Sequence, residues 1–148
     1  MDNKTIQSLM KSETAFAAMS AFRPDYSYEE NVKRNKELAA TLKRYGYSVY
    51  PTKGYWKGEA EESFFIVSNE DEKKFMKNII ALGKKYDQDG VLIKSSNGVR
   101  VYDKTGKVTD TFRKFSPGKK GDFYTELKNG ETFVFESEEG LAKKILDM

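Results

Sequence analysis

The chain contains no cysteine and no histidine. The first absence excludes disulfides, thiolate zinc sites and a cysteine nucleophile, and it suits a reducing compartment. The second removes the commonest general base near neutral pH and the commonest zinc ligand, leaving carboxylates, Lys, Tyr, Ser and Thr for any chemistry. Triad hydrolases, histidine-dependent phosphoesterases and most zinc enzymes are therefore disfavoured. Proline is scarce, at 3, and tryptophan occurs once. There is no apolar run of membrane length, and Met1-Asp2-Asn3-Lys4 is followed by nothing that reads as a leader. A soluble protein of the cytoplasm, with no membrane partner, is the expectation. Nor is there an excess of one charge. The 26 basic and 23 acidic side chains leave a net +3, too mild for a dedicated nucleic-acid-binding composition.

What the chain has is aromatic mass, with 10 Phe and 9 Tyr in 148 residues. Each ring buries more area than an aliphatic side chain, so a core is available although 33% of the residues are charged. The length fits one domain, 1–148, without repeats or a dividing linker.

Apolar residues at helical spacing from Thr5 to Phe22 predict a first helix, which Pro24 ends, and residues 1–22 read as an N-terminal extension. Ser27-Tyr28-Glu29-Glu30 is a capping box for a second helix with Val32, Leu38, Ala39, Leu42 and Tyr45 on one face, stopped by Gly46. Tyr47 to Tyr50 and Ser63 to Val67 read as strands, joined by a long loop from Pro51 to Glu62. A third helix starts within Asn69–Glu72 and ends near Tyr86. A three-stranded meander follows, turning at Ser96-Asn97-Gly98 and at Asp103 to Gly106. The state of Phe123 to Leu127 stays open, Thr132 to Phe135 reads as a strand, and Ser137 caps a short last helix carrying Leu141, Ile145 and Leu146. This order predicts an α+β domain whose mainly antiparallel sheet of about five or six strands has helices packed on one face.

Four groups of residues invite a functional reading. Asn31, Arg34 and Asn35 share a helix face, and with Arg23 they can hold an anion or a partner's carboxylate, or fix loops by bonds to backbone carbonyls. Lys53 and Trp56 lie in the long loop, and a lone Trp between glycines suits a contact residue or a lid over the core. Basic and aromatic residues interleave there and again at Arg113, Lys114, Phe115, Lys119, Lys120, Phe123 and Tyr124, a mixture that suits single-stranded nucleic acid or anchors strands to a core. Finally, Glu59, Glu61 and Glu62 with Asp87 and Asp89 could bind a divalent ion for phosphoryl transfer or stay a solvated loop. No spacing among them matches a known ligand motif. Asp89 with Lys94 falls short of the restriction-nuclease core because Leu92 stands where an acid is needed, and Lys85-Tyr86-Asp87 is separated from Gly90 too far for a ligase motif.

The pattern Ala21-Phe22-Arg23, Asn31 with Arg34-Asn35, Gly54 to Trp56, Glu62-Ser63-Phe64, Gln88-Asp89 and Gly98-Val99 resembles a family of small proteins common in bacteriophages, mobile elements and bacterial genomes, a family with no established activity. The resemblance spans about residues 20–135 and implies a phage-borne accessory protein acting in the host cytoplasm on a host or defence component. On this reading the protein is a non-catalytic binder with no catalytic residue, metal or cofactor. Its surface is made by Arg23, Asn31, Arg34, Asn35, Lys53, Trp56, Glu62, Ser63, Gln88 and Asp89, and its partner is a host or defence-system protein, with nucleic acid or a nucleotide as a further possibility. The alternatives are a nucleic-acid-binding protein and a metal-dependent nuclease or phosphoryl-transfer enzyme acting through Glu61, Glu62, Asp87 and Asp89.

Overall fold

A computed structural model describes residues 1–119, 121 and 123–137, without the side chain of Trp56. The described elements are α1 (Asn3–Lys11), β1 (Phe16–Met19), α2 (Tyr28–Arg44), β2 (Ser48–Trp56), β3 (Glu59–Val67), α3 (Glu72–Lys85), β4 (Val91–Ser95), β5 (Gly98–Tyr102), β6 (Val108–Pro117), β7 (Phe123–Leu127) and β8 (Thr132–Ser137). The strands close into an antiparallel barrel in the order β1-β3-β2-β7-β8-β6-β5-β4. This corrects the expected α+β arrangement of five or six strands with helices on one face. The expected last helix lies outside the described residues.

Two misread segments account for the difference. The predicted helix from Thr5 to Phe22 stops at Ser12, whose amide and hydroxyl both bond the Leu9 carbonyl, and Phe16–Met19 then forms a strand. That strand is paired on both edges, to β3 and β4, and is buried on both faces. A doubly buried strand reads as a continuous apolar run, which a helical pattern can imitate. The second segment is the predicted loop from Pro51 to Glu62, which is a hairpin. Lys57 and Gly58 have φ of +47° and +84° and join Trp56 to Glu59 directly, the turn form whose twist matches that of its strands. Pro51 is tolerated because pairing of β2 with β7 begins only at Thr52.

The barrel has an inner and an outer core. Phe16, Phe65, Leu127 and Phe133 fill the interior with Phe115 and Phe135, the Phe16 and Phe65 rings lying 4.8 Å apart. The side chain of Ile6 on α1 is fully buried among them, so α1 closes one end. The alternate residues Ala17, Met19, Ile66, Val91 and Ile93 face outward and are covered by Leu38 and Leu42 of α2 and by Phe75, Ile79 and Leu82 of α3. Each such large side chain contributes roughly 1.5–3 kcal/mol on burial. Among the described residues no helix is long and apolar enough to cross a membrane.

Candidate functional site

The site begins where β1 leaves β3. The Ser68 amide donates to the Ala15 carbonyl (3.0 Å), so in the register that pairs Phe16 with Val67 and Met19 with Phe64 the odd residues of β1 belong to the hydrogen-bonded pairs. Ala21 opposite Glu62 would be the next such pair. Instead the Asn35 amide, from α2, stands between them. Its Oδ1 accepts the Ala21 N–H (2.8 Å) and its Nδ2 donates to the Glu62 carbonyl (3.0 Å). The Ala21 carbonyl is taken by Arg34 Nε (2.8 Å), and the Ser20 hydroxyl adds a second donor to the Glu62 carbonyl (2.7 Å). Side chains thus replace one rung of the ladder, and the two strands part around the buried Asn35.

The strap from Ser20 to Asp25 is held throughout in the same way. Asn31 bonds both the amide and the carbonyl of Arg23 (2.9 Å each), and Gln88 Nε2 donates to the Phe22 carbonyl (3.0 Å). Arg34 Nη2 reaches the Tyr86 carbonyl, and its guanidinium lies 4.6 Å from the Tyr26 ring centre. Arg23 pairs with Asp25 (2.8 Å) and, more loosely, Asp87 (3.6 Å), which also meets Lys104 (2.5 Å). Lys104 and then Arg23 hold the Asp87 carboxyl below its usual range. Asn31, Arg34, Asn35 and Gln88 stand out in the sequence as groups that could bind or brace, and the hydrogen bonds they make here go to backbone atoms.

Strand β3 borders two concavities. On the helix side a groove of about 670 Å³ runs between α2 and strands β2, β3 and β7. Its apolar lining is Val32, Ala39, Pro51, Phe64 and Leu127, and its charges are Lys36, Lys53, Lys128, Glu62 and Glu126, with Asn35 and Ser63 between. Lys53 and Glu62 are direct cross-strand neighbours. On the other side a cleft of about 220 Å³ holds Glu61, Arg23, Asp87, Gln88 and Asp89. Although the Glu61 residue is exposed, its carboxyl is desolvated by its neighbours and raised above the usual range, with the Asp89 charge adding to the rise.

The residues singled out from the sequence are therefore split. Asn35, Lys53, Glu62 and Ser63 line the groove, Arg23, Gln88 and Asp89 line the cleft, and the Trp56 backbone ends β2 opposite Glu59 and Phe123. Val32, Lys36, Ala39, Glu126 and Lys128 were not singled out. The first three, with Asn35, recur at helical spacing and share a face, a signal available from the sequence. Nothing local marked Glu126 and Lys128, which reach the groove only through the pairing of β7 with β2. The expected acidic metal cluster does not assemble, since among the described residues no three His, Cys, Asp or Glu are placed to hold an ion. Of the basic residues that interleave with aromatics, Lys53 is in the groove and Lys57, within the long loop the sequence suggested, is in the hairpin turn, whereas Arg113 and Lys114 are on β6. Lys119 lies over Tyr124, which stacks on Tyr55 at 4.6 Å, and Lys120 is outside the described residues.

Comparison with curated proteins finds no match. Among solved structures, one similar chain is a phage SAM lyase in complex with S-methyl-5'-thioadenosine, at 20% identity and a TM-score of 0.32, with 78% of this chain and 89% of that chain covered. The family model that matches is that of the S-adenosylmethionine lyase family, over residues 17–136. It overturns the expectation of a non-catalytic accessory binder of host or defence components, because the family is named for an enzyme. The match starts at the second residue of β1, leaving α1 outside it, and takes in β1 to β8 almost whole. The chain belongs to the S-adenosylmethionine lyase family.

Proposed function

We propose that this protein cleaves S-adenosylmethionine, and that the groove between α2 and strands β2, β3 and β7 is where the substrate binds. The observation that carries the reading is the composition of that groove. Its volume lies within the ~300–1,000 Å³ of small-molecule sites, whereas the cleft of about 220 Å³ falls below it. Its lining also combines an apolar wall with charges of both signs. The substrate has the same three parts, a flat nucleoside, a carboxylate and two cationic centres.

A lyase breaks its bond without water. In this substrate the α-carboxylate can reach the γ-carbon through a five-membered ring. Its oxygen forms a bond to that carbon while the carbon–sulfur bond breaks and its electron pair passes to the sulfonium sulfur. The products are a neutral thioether nucleoside and an amino lactone. No proton moves, so no general base is required, and the lack of histidine does not weigh against this reaction. The catalyst must fold the amino-acid half onto its own γ-carbon, an orientation effect that reaches several kcal/mol in favourable cases. Glu62 faces the ammonium, whose charge is unchanged during the reaction, and its cross-strand neighbour Lys53 faces the carboxylate. Attack and departure cancel a negative and a positive charge, a change that the apolar wall of Val32, Ala39, Pro51 and Phe64 favours over water.

In this reading a small molecule replaces the host or defence protein as partner, and the activity belongs in the cytoplasm, where the substrate is made. The test is incubation of the purified protein with S-adenosylmethionine in ¹⁸O-labelled water, followed by mass spectrometry. Equimolar thioether nucleoside and unlabelled lactone are expected, with Glu62→Gln and Lys53→Ala each slowing their formation. Unchanged substrate, or label incorporated at first appearance of the product, would reject the reading.

A further inference from the structure

The Glu62 backbone is held by side chains from two other parts of the fold. In a regular ladder its carbonyl would accept the Ala21 amide. Here it accepts from Asn35 of α2 (3.0 Å) and from Ser20 at the end of β1 (2.7 Å). Both donors are deeply buried, Asn35 at 6% and Ser20 at 4% exposure. Asn35 is itself fixed, since its Oδ1 is committed to the Ala21 amide (2.8 Å). The hydroxyl of Ser20 also accepts the Phe22 amide (3.0 Å). A primary amide has a fixed angle between its donor and acceptor, so the Asn35 side chain sets the separation of Ala21 and Glu62 as a spacer would. An ordinary strand pair would draw β1 against Glu62 and rotate its carboxylate with the strand. The spacer holds the strand end off without leaving either backbone group unpaired in a buried place, where an orphaned donor or acceptor would be costly.

We propose that Asn35 and Ser20 are positioning residues for the lyase reaction, acting through the backbone of Glu62 to aim its carboxylate at the ammonium of the bound substrate. The inference rests on the groove being the site of S-adenosylmethionine cleavage. Neither side chain supplies a charge or a proton to the reaction. What they supply is the placement of Glu62, and placement errors of about 1 Å can lower a rate by about a hundredfold. A misaimed Glu62 still binds the ammonium but turns the substrate's carboxylate away from its own γ-carbon, an alignment that counts only in the transition state, so it lowers kcat more than it raises KM.

The test is a kinetic double-mutant cycle on the full chain. Asn35→Asp keeps the shape but replaces the amide donor by an acceptor, and Ser20→Ala removes one donor at little cost in volume. Each is made alone and together with Glu62→Gln. Ser20→Ala is expected to lower kcat about tenfold and Asn35→Asp about a hundredfold with KM within about threefold of wild type. In the Glu62→Gln background either change is expected to have little further effect, because the group they position is already gone. Rates that multiply, or single variants with wild-type kcat, overturn the inference while leaving the function standing. A wild-type protein that does not consume S-adenosylmethionine overturns both. Should Asn35→Asp fail to fold, the Ser20→Ala cycle decides by itself, since it opens no cavity larger than a hydroxyl.

Discussion

The ammonium nitrogen of Lys94 lies 2.9 Å from the carbonyl oxygen of Leu9, so a strand from the middle of the chain completes the last turn of the first helix. The same nitrogen also donates to the Ser12 carbonyl (2.5 Å) and the Thr14 carbonyl (2.8 Å). A cation at a helix C-terminus meets the negative end of the macrodipole and the carbonyls left without intrahelical partners. Lys94 is 6% exposed, and it ties α1, which lies outside the family match, to the barrel that the match covers. Lys94→Met keeps the apolar stem and removes all three bonds. A loss of about 2–4 kcal/mol is expected, seen as a lowered Tm and as faster amide exchange in Asn3–Lys11 than in the strands. Unchanged exchange in α1 would show that Ile6 and its neighbours hold the helix without the lysine.

Gly83 on α3 faces Val91 of β4. A Cβ built there would lie 2.9 Å from Val91 Cγ1. Alanine is the better helix former by about 1 kcal/mol, yet Gly83→Ala is expected to destabilise by about 1–3 kcal/mol because the helix must move off the barrel. Adding Val91→Ala should return part of the loss. Urea midpoints of the two single variants and the double variant check this, and additive losses would place the cause elsewhere.

Tyr47 donates to Glu70 and accepts from Asn78 (3.0 Å). Burial first, and then the Glu70 hydrogen bond, push its hydroxyl up to about 12. A folded-state value above the unfolded one near 10 means that the unfolded chain gives up its proton first. The contribution is therefore complete below about pH 10 and is lost as the pH rises from about 10 towards 12. Wild type should lose stability over that window more steeply than Tyr47→Phe, as followed by urea midpoints between pH 8 and 11. Parallel curves for the two proteins would contradict the assignment.

Glu61 is raised in the folded state by desolvation and by Asp89. Its charged form is thus disfavoured by folding. Stability tied to this group is greatest at low pH and falls as the pH rises from the ordinary carboxylate value through the raised one. Glu61→Gln is expected to melt above wild type at pH 7 and with it at pH 3.5. Equal melting temperatures at pH 7 would mean that water reaches the cleft and relieves the carboxyl.

The elements legible in the sequence were those with local causes. Ser27 caps α2 as expected, accepting the Glu30 amide at 3.1 Å, and of the expected apolar face Leu38 and Leu42 are buried, whereas Val32 and Ala39 line the groove and Tyr45 is exposed. The meander of β4 to β6 turns at the expected places, with Gly98 and Gly106 at positive φ. Strand β1 was not legible because pairing on both edges and burial on both faces erased the period of two that marks a half-exposed strand. The β2–β3 hairpin was missed because Lys57-Gly58 lacks the Asn or Asp that usually announces such a turn. At the site, Asn31, Arg34, Asn35 and Gln88 stood out in the sequence, but as polar residues at element ends they could not show that their partners are the backbones of Ala21, Arg23, Glu62, Phe22 and Tyr86.

By itself the sequence determined the second and third helices, the turns of the meander, and the restriction of any chemistry to carboxylates, lysines and hydroxyls. These depend on residue identity and on neighbours a few positions apart. The tertiary structure decided the closure of the barrel, the amide spacer between Ala21 and Glu62, and the groove that joins residues 32–39, 51–53, 62–64 and 126–128. Each needs strands and helices distant in sequence to meet in one register, and that register is set by how the aromatic side chains share a single barrel interior, which no local pattern encodes.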